Sequence, residues 1–225
     1  FVPISDGSGI VLDTGKAVTQ FIKGDIVIPP FFKEWFSGNI EENTVLSALG
    51  GKVEGVMQEF MIFDEKNIVK APTNWNYLES ATLPCAALTA WRTIVTEGKV
   101  NKDSTVLVQG LGGVSLFAIQ IAKLFNAKVI ATTSCEEKMV KAKSYGADFV
   151  INYNENINWW KKVQDITDKK GVDIVVEVGG SETLEQSIKS SKIGAVIGII
   201  GVLSGGIVKL PIGRVIYKAS RLIGI

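Results

Sequence analysis

The stretch TVLVQGLGGVSLFAIQIAKLF, Thr105 to Phe125, joins a short apolar strand to an apolar helix through a glycine-rich turn. A dinucleotide pyrophosphate asks for that order. The strand delivers the chain to the turn, and Gly110 and Gly112 let the backbone approach a phosphate with no Cβ in the way. The helix after it then aims its first N–H groups at the anion. Ser115 stands where the G-x-G-x-x-G pattern has its third glycine, and a turn of this kind also occurs as plain punctuation between a strand and a helix.

Beyond the turn, the alternation of strand and helix runs to the end of the chain. Apolar strands are expected at Lys128 to Thr132, Phe149 to Asn152, Asp173 to Val178, Ala195 to Ile200 and Leu222 to Ile225, which with Thr105 to Gln109 makes six. Helical patterns at Glu136 to Ser144, Asn158 to Asp168 and Glu182 to Ser190 lie between them. Alternating β and α elements specify a parallel sheet covered on both faces, and six strands complete a Rossmann-type doubly wound dinucleotide domain.

Composition agrees with a compact α/β chain. Its 225 residues are 46% hydrophobic and include 23 glycines. The formal charge of +1 gives no electrostatic case for a nucleic-acid or anionic-membrane partner. No apolar run is long enough to span a bilayer. Two cysteines, Cys85 and Cys135, and no sign of a secretory segment make a disulfide framework improbable and a reducing cytoplasm the default location. Histidine is absent, which removes the commonest general acid/base and the commonest zinc ligand. The opening Phe1-Val2-Pro3 reads as the interior of a longer polypeptide.

The first third has a different texture. From Asp6 to Ile28, short β-prone runs alternate with turn signals at Asp6-Gly7, Thr14-Gly15 and Lys23-Gly24-Asp25, the pattern of an irregular β domain. Pro29 to Gly55 is an excursion carrying Phe31, Phe32, Trp35 and Phe36, and Val56 to Lys70 returns to strand-like alternation. A helical Trp75 to Ala81 then leads into ATLPCAALTAW, the segment that carries the chain across. The domain boundary is placed near Ala86, dividing residues 1–86 from residues 87–225.

These residues together resemble the medium-chain dehydrogenase/reductase superfamily, which includes alcohol dehydrogenases and zinc-free quinone oxidoreductases. The resemblance covers the whole chain and rests on SDGSG at Ser5 to Gly9, FIKGDIV at Phe21 to Val27, ATLPCAALTAW at Ala81 to Trp91, VLVQGLGGVS at Val106 to Ser115, KSYGADFVINY at Lys143 to Tyr153, GVDIVVEVGG at Gly171 to Gly180 and IGVLSGG at Ile200 to Gly206. It implies a partial GroES-like catalytic domain over 1–86 and a dinucleotide-binding Rossmann domain over 87–225.

The resemblance also bears on zinc. Zinc members of the family carry Gly-His-Glu where this chain has Ile4-Ser5-Asp6, and Cys85 falls at another ligand position; the last lies upstream of Phe1. One thiolate without its imidazole partner cannot build the usual three-ligand site, and the Pro29 to Gly55 region lacks the four cysteines of a structural zinc lobe. No metal site is therefore expected, and Cys85 reads as a small buried residue.

Cofactor choice is set past the second strand, where NAD-preferring domains place an acidic residue against the ribose 2′-OH, roughly 20 residues after the turn. Thr133 occupies that position by the resemblance. With Ser134 it supplies neutral hydroxyls, and Lys138 and Tyr153 match positions that hold a 2′-phosphate, so NADP(H) is preferred over NAD(H). Against this, Ser134 and Glu137 also fit a capping box, Glu136 and Glu137 bring negative charge, and Lys138 can be a solvated helix residue. The remaining cofactor path implied by the resemblance runs along the backbone of Gly110, Leu111, Gly112, Gly113 and Val114 at the pyrophosphate. It continues through Val178 and Gly179 at the ribose next to nicotinamide, Gly201, Val202 and Leu203 at the carboxamide, and Thr89 beside the ring. As residues alone, Val178, Val202 and Leu203 also read as ordinary sheet positions.

The implied activity is zinc-independent hydride transfer from NAD(P)H to an enone, a quinone or a related carbonyl substrate, with NAD(P)-dependent alcohol dehydrogenation as the alternative. A cofactor-binding regulatory or structural protein is the reading from another class. No catalytic proton donor is assigned. The four aromatics near residue 31 fit either the wall of an apolar substrate cleft or a local cluster. The resemblance implies pairing of the last strand, Leu222 to Ile225, with its mate across a two-fold axis, so a homodimer is the expected assembly.

Overall fold

The computed structural model describes all residues, Phe1 to Ile225. It divides into two compact units, Phe1–Leu88 and Thr89–Ile225.

The second unit holds six parallel strands: β4 (Thr105–Gln109), β5 (Lys128–Thr133), β6 (Phe149–Asn152), β7 (Val172–Glu177), β8 (Ser191–Ile199) and β9 (Arg221–Gly224). The strand numbers continue from three short strands in the first unit: β1 (Gly9–Ile10), β2 (Ile26–Ile28) and β3 (Val69–Lys70). Sheet order is β6-β5-β4-β7-β8-β9. The chain winds outward from β4 to one edge, returns, and winds from β7 to the other. The topological switch point therefore lies between β4 and β7, where such sheets bind ligands beyond the strand carboxyl ends.

Period-two alternation explains why both sheet faces need cover. Val106 and Val108 of β4, Val129 and Ala131 of β5, and Ile174 and Val176 of β7 point to one face and join one core cluster, while Leu107, Ile130 and Val175 join the other. Ala118, Ile119 and Ala122 from helix α4 (Gly113–Leu124) close the first face. Trp159 and Val163 of α6 (Trp159–Ile166) and Leu184 and Ile188 of α7 (Leu184–Ser190) close the second. The remaining helices are α1 (Glu42–Leu46), α2 (Tyr77–Ser80), α3 (Leu88–Trp91), α5 (Glu136–Ser144) and α8 (Ile212–Lys218), and wide π-type turns at Leu83–Ala87 and Arg92–Glu97 flank α3.

The first unit is less regular than its alternating sequence suggests. Its sheet is antiparallel, ordered β1-β2-β3, and its strands are two or three residues long. Only Val69 and Lys70 of the Val56 to Lys70 run pair as strand, because no neighbouring strand meets the rest: Met57, Phe60 and Ile62 are exposed. Helix α2 is shorter than Trp75 to Ala81 because a capping box sets its start. Glu79 N–H donates to Asn76 Oδ1 at 2.9 Å and Asn76 N–H donates to Glu79 Oε2 at 3.0 Å.

Leu107 is fully buried at the centre of the second face. In the full-length protein Leu107→Ala is expected to lower stability by about 2–5 kcal/mol, read as a shift of the urea midpoint, because the sheet cannot collapse onto the cavity.

Candidate functional site

The turn after β4 is built to leave room. Gly110 has φ +67, a left-handed conformation that favours glycine, and its N–H donates to Thr132 O of β5 at 2.8 Å. Gly112 is the N-cap of α4, and a Cβ built on it meets nothing within 4 Å. Without a side chain at the N-cap, no side chain satisfies the first N–H groups of α4, which include those of Gly113 and Val114; these donors and the helix dipole face open space. Leu111 and Val114 meanwhile pack part of their side chains on the first core cluster. Ser115 takes over the close-packing role of the missing third glycine: it is 2% exposed, and its Oγ donates to Gln109 O at 2.7 Å, fastening helix to strand. A dinucleotide pyrophosphate fits this cradle.

At the ends of β5 and β6 the structure brings Thr133, Ser134, Lys138 and Tyr153 together, though not as equals. Thr133 is 1% exposed and its Oγ1 is turned to Cys135 O at 3.4 Å, away from solvent. Ser134 Oγ accepts from Lys138 Nζ at 3.4 Å, and Tyr153 N–H donates to Thr133 O at 2.9 Å. The alternative of a Ser134–Glu137 capping box does not form. Helix α5 starts one residue later, with Cys135 as its extended N-cap and no side-chain cap bond, so the Ser134 hydroxyl is left facing the lysine. Asn154, which the sequence pattern does not single out, donates from Nδ2 to Ser134 O at 2.8 Å and holds that residue in place.

Val178, Gly179 and the Gly201 to Leu203 segment lie just past the ends of β7 and β8 and are laced to each other. Ser204 N–H donates to Gly179 O at 2.7 Å, Leu203 N–H to Val178 O at 3.4 Å and Ser181 N–H to Gly205 O at 3.0 Å. A Cβ on Gly201 would sit 2.6 Å from Val178 O, so only glycine permits this approach. Val202 and Leu203 project outward, the latter 87% exposed. Thr89, in α3, is partly buried, with its carbonyl accepting from Thr93 Oγ1 at 2.9 Å.

Beneath these loops lies a group that sequence reasoning missed. Glu177, the last residue of β7, has 0% exposure. Its carboxyl accepts from Gly179 N–H at 2.9 Å, Gly180 N–H at 3.0 Å, Thr183 Oγ1 at 2.5 Å, Gln109 Nε2 at 2.7 Å and Ser187 Oγ. Gln109, the last residue of β4, uses its Oε1 to accept from Val178 and Gly179 N–H at 3.2 and 3.3 Å. Two polar side chains thus bridge the switch point and fix both loops above it. The only local signal for them is a Gln and a Glu ending otherwise apolar strands, VLVQ and IVVE.

In the first unit, Asp6 joins the two residues at the zinc-ligand positions. Its Oδ2 accepts from Ser5 Oγ at 2.6 Å and its Oδ1 from Cys85 N–H at 2.9 Å. The chain contains no group of three histidine, cysteine, aspartate or glutamate side chains placed to hold a metal ion. With a neutral hydroxyl at Ser5 and no third histidine, cysteine, aspartate or glutamate beside Asp6 and Cys85, the donor set in this chain does not fit a three-ligand catalytic zinc. Among the aromatics, Phe31, Phe32 and Trp35 pack edge to face at 4.7 and 5.9 Å, whereas Phe36 lies under Lys66 Nζ at 5.1 Å.

Glu177→Gln replaces one carboxylate oxygen by an amide donor, which then faces either the two donors now on Oε2 or the three now on Oε1. It is expected to cost about 1–3 kcal/mol, measured by denaturant unfolding of the full-length protein, and a change below the error of that measurement would remove Glu177 from its supporting role.

Comparison with known proteins matches two parts of the chain to family models. Residues 1–73 match the alcohol dehydrogenase GroES-like domain and residues 113–225 match the zinc-binding dehydrogenase family. The chain is 38% identical over 230 residues to a zinc-type alcohol dehydrogenase-like protein of Schizosaccharomyces pombe, covering 100% of this chain and 66% of that protein. It is 31% identical to the 2-methylene-furan-3-one reductase of Solanum lycopersicum, covering 92% of this chain and 47% of the relative. The crystal structure of an NAD-dependent alcohol dehydrogenase superposes with a TM-score of 0.87 at 36% identity, over 99% of this chain and 67% of that one. The chain thus spans less than two thirds of the length of these curated relatives, and no helix in it is long and apolar enough to cross a membrane. With both domains matched and the β4-turn-α4 cradle in place, the chain belongs to the zinc-binding dehydrogenase family of the medium-chain dehydrogenase/reductase superfamily.

Proposed function

We propose that this chain is the cofactor-binding part of an NAD(P)-dependent oxidoreductase that reduces an enone, a quinone or a related carbonyl compound without zinc. The observation that carries this reading is the open cradle at Gly112 together with the locked loops past β7 and β8. The α4 N-terminus and the Gly110 to Val114 backbone would hold the pyrophosphate. Val178, Gly179 and the Gly201 to Leu203 backbone would orient the nicotinamide half, with Thr89 beside the ring. When bound, the cofactor supplies the hydride.

Preference for NADP(H) is supported by Ser134 and Lys138, a hydroxyl and an ammonium side by side where an NAD site has a carboxylate. The proposal for substrate class rests on charge. Within this chain neither histidine nor a fitting zinc donor set can meet a localised alkoxide, whereas a delocalised enolate or phenolate needs only hydroxyls, backbone N–H groups or water. The 31% identity to a reductase whose name denotes an unsaturated ketone favours the same class. A second reading, NAD(P)-dependent alcohol dehydrogenation, is favoured by the 36% identity to the NAD-dependent alcohol dehydrogenase. The free backbone of edge strand β9 supports a homodimer formed by strand pairing.

Fluorescence titration of the full-length protein is expected to show NADPH binding at least about tenfold tighter than NADH, near 1.4 kcal/mol, with the gap closed by Lys138→Ala. Equal binding would return Lys138 to a solvated helix residue and raise the alcohol dehydrogenase reading. Gly112→Val is expected to leave the folded protein intact, since its φ of −75 is ordinary and its Cβ would meet open space, yet to abolish binding of both cofactors. Retained binding in that variant would sink the cradle assignment.

A further inference from the structure

The opposite end of the second unit carries a feature that cofactor binding does not use. An open-sided depression of about 930 Å³ lies at the amino-terminal ends of β7 and β8, between α6, α7 and α8. The proposed nicotinamide loops leave the carboxyl ends of the same strands. Six residues of β7 separate the two regions, roughly 20 Å at about 3.3 Å per residue.

The wall of the depression is cationic to a degree the chain as a whole is not. Seven lysine and arginine side chains line it against one carboxylate, Asp165, in a protein whose net charge is +1. Three of the seven are neutralised: Lys169 by Asp165, Lys189 by Glu185 at 2.6 Å, and Lys192 by Asp173. Even with the flanking Glu185 and Asp173 counted, cations outnumber carboxylates seven to three. Lys161, Lys170, Arg214 and Lys218 have no carboxylate within 4.0 Å.

Lys218 shows what this crowding costs. It is half-buried, and its Nζ donates to Lys189 O at 3.0 Å and to Ser191 O, carbonyl groups that leave its positive charge uncompensated. Burial first, and then the neighbouring Arg214 charge, hold its ammonium below the ordinary lysine range. Trp160 forms part of the same wall, with the ammonium groups of Lys189 and Lys161 at 5.5 and 5.8 Å from its ring centroid. Its indole N–H is buried without an acceptor. Like charges gathered round an aromatic wall are what an anion with several negative charges would relieve.

We infer that the depression between α6, α7 and α8 is a second anion site, which takes a polyphosphate chain across Lys161, Lys170, Arg214 and Lys218. The phosphate chain can come free or attached to a nucleoside, whose base would find Trp160 and the exposed Tyr217 in the same wall. A surface with scattered lysines would bind neither with a fixed stoichiometry. This one gathers its cations in a single concavity, so one polyphosphate per chain is expected.

Isothermal titration calorimetry of the full-length protein at low salt tests this, with inorganic tripolyphosphate in one arm and ATP in the other. Saturable binding is expected to weaken at least about tenfold in the double variant Arg214→Gln, Lys170→Gln, both residues being exposed and outside the core, and to persist when NADPH saturates the cofactor end. Equal affinity in the two arms identifies the phosphate chain as the recognised group, and tighter ATP binding adds the aromatic wall; either supports the site. Binding abolished by saturating NADPH and indifferent to the double variant would assign the anion to the cofactor end and overturn the inference. Absence of saturable binding in both arms would overturn it as well. Circular dichroism of the double variant distinguishes lost contacts from lost fold.

Discussion

The candidate site depends on one buried carboxylate. A charged group with no solvent exposure is costly to bury unless its lone pairs are satisfied, and Glu177 meets that condition with five donors drawn from the end of β4, the turn after β7, and two positions in and before α7. Each donor is thereby fixed in turn. Gly179 and Gly180 cannot move without stranding the carboxylate, and Gln109 cannot rotate without also releasing Val178 and Gly179 from its Oε1. The switch point between β4 and β7, which topology alone would leave as a crevice between diverging loops, becomes a fixed floor.

That floor has consequences above it. Ser204 accepts from Glu182 N–H at 3.0 Å while donating to Gly179 O at 2.8 Å, so the loop after β8 inherits its position from the loop after β7. Glycine is required along this seam for a steric reason, as at Gly179, where a Cβ would fall 2.2 Å from Thr183 Oγ1. Backbone that is already held does not have to be ordered when a ligand arrives, and that saving in conformational entropy is what pre-organisation contributes to binding. The cradle at α4 differs: there the structure supplies space and unsatisfied N–H groups, and the ligand itself would complete the helix cap.

How far the sequence can be read depends on how local each signal is. Strands β4 and β6 are legible to the residue, because an apolar run bounded by a glycine turn or by polar residues needs no distant information. The ends of β7 and β8 differ from expectation by a residue or more. At β8 the register shifts opposite Val172 to Ile174, an irregularity that no periodicity announces. The first unit reads as richer in strand than it is because Val56 to Lys70 alternates without a partner to pair with, and alternation is only half of a sheet. At the 2′ end, Ser134 and Glu137 have the spacing of a capping box, but Cys135 takes the cap, a choice set by where the chain leaves β5. Glu177 is invisible for the opposite reason. Its role comes from five partners up to 68 residues away, and one sequence shows the residue without the partners.

The chemistry proposed for the protein turns on which anion its surroundings can tolerate. At the zinc-ligand positions this chain offers a hydroxyl, Ser5, already given to Asp6, and a cysteine whose backbone N–H is given to the same carboxylate. A carboxylate held by two donors in this way is a structural clasp between the Ser5 turn and the Leu83–Ala87 turn. Ser5, Asp6 and Cys85 thus tie the two turns of the first unit together. An acceptor whose negative charge is delocalised on reduction makes no demand on them, and this is the physical reason to place conjugated carbonyl compounds ahead of simple alcohols as partners of the proposed hydride transfer.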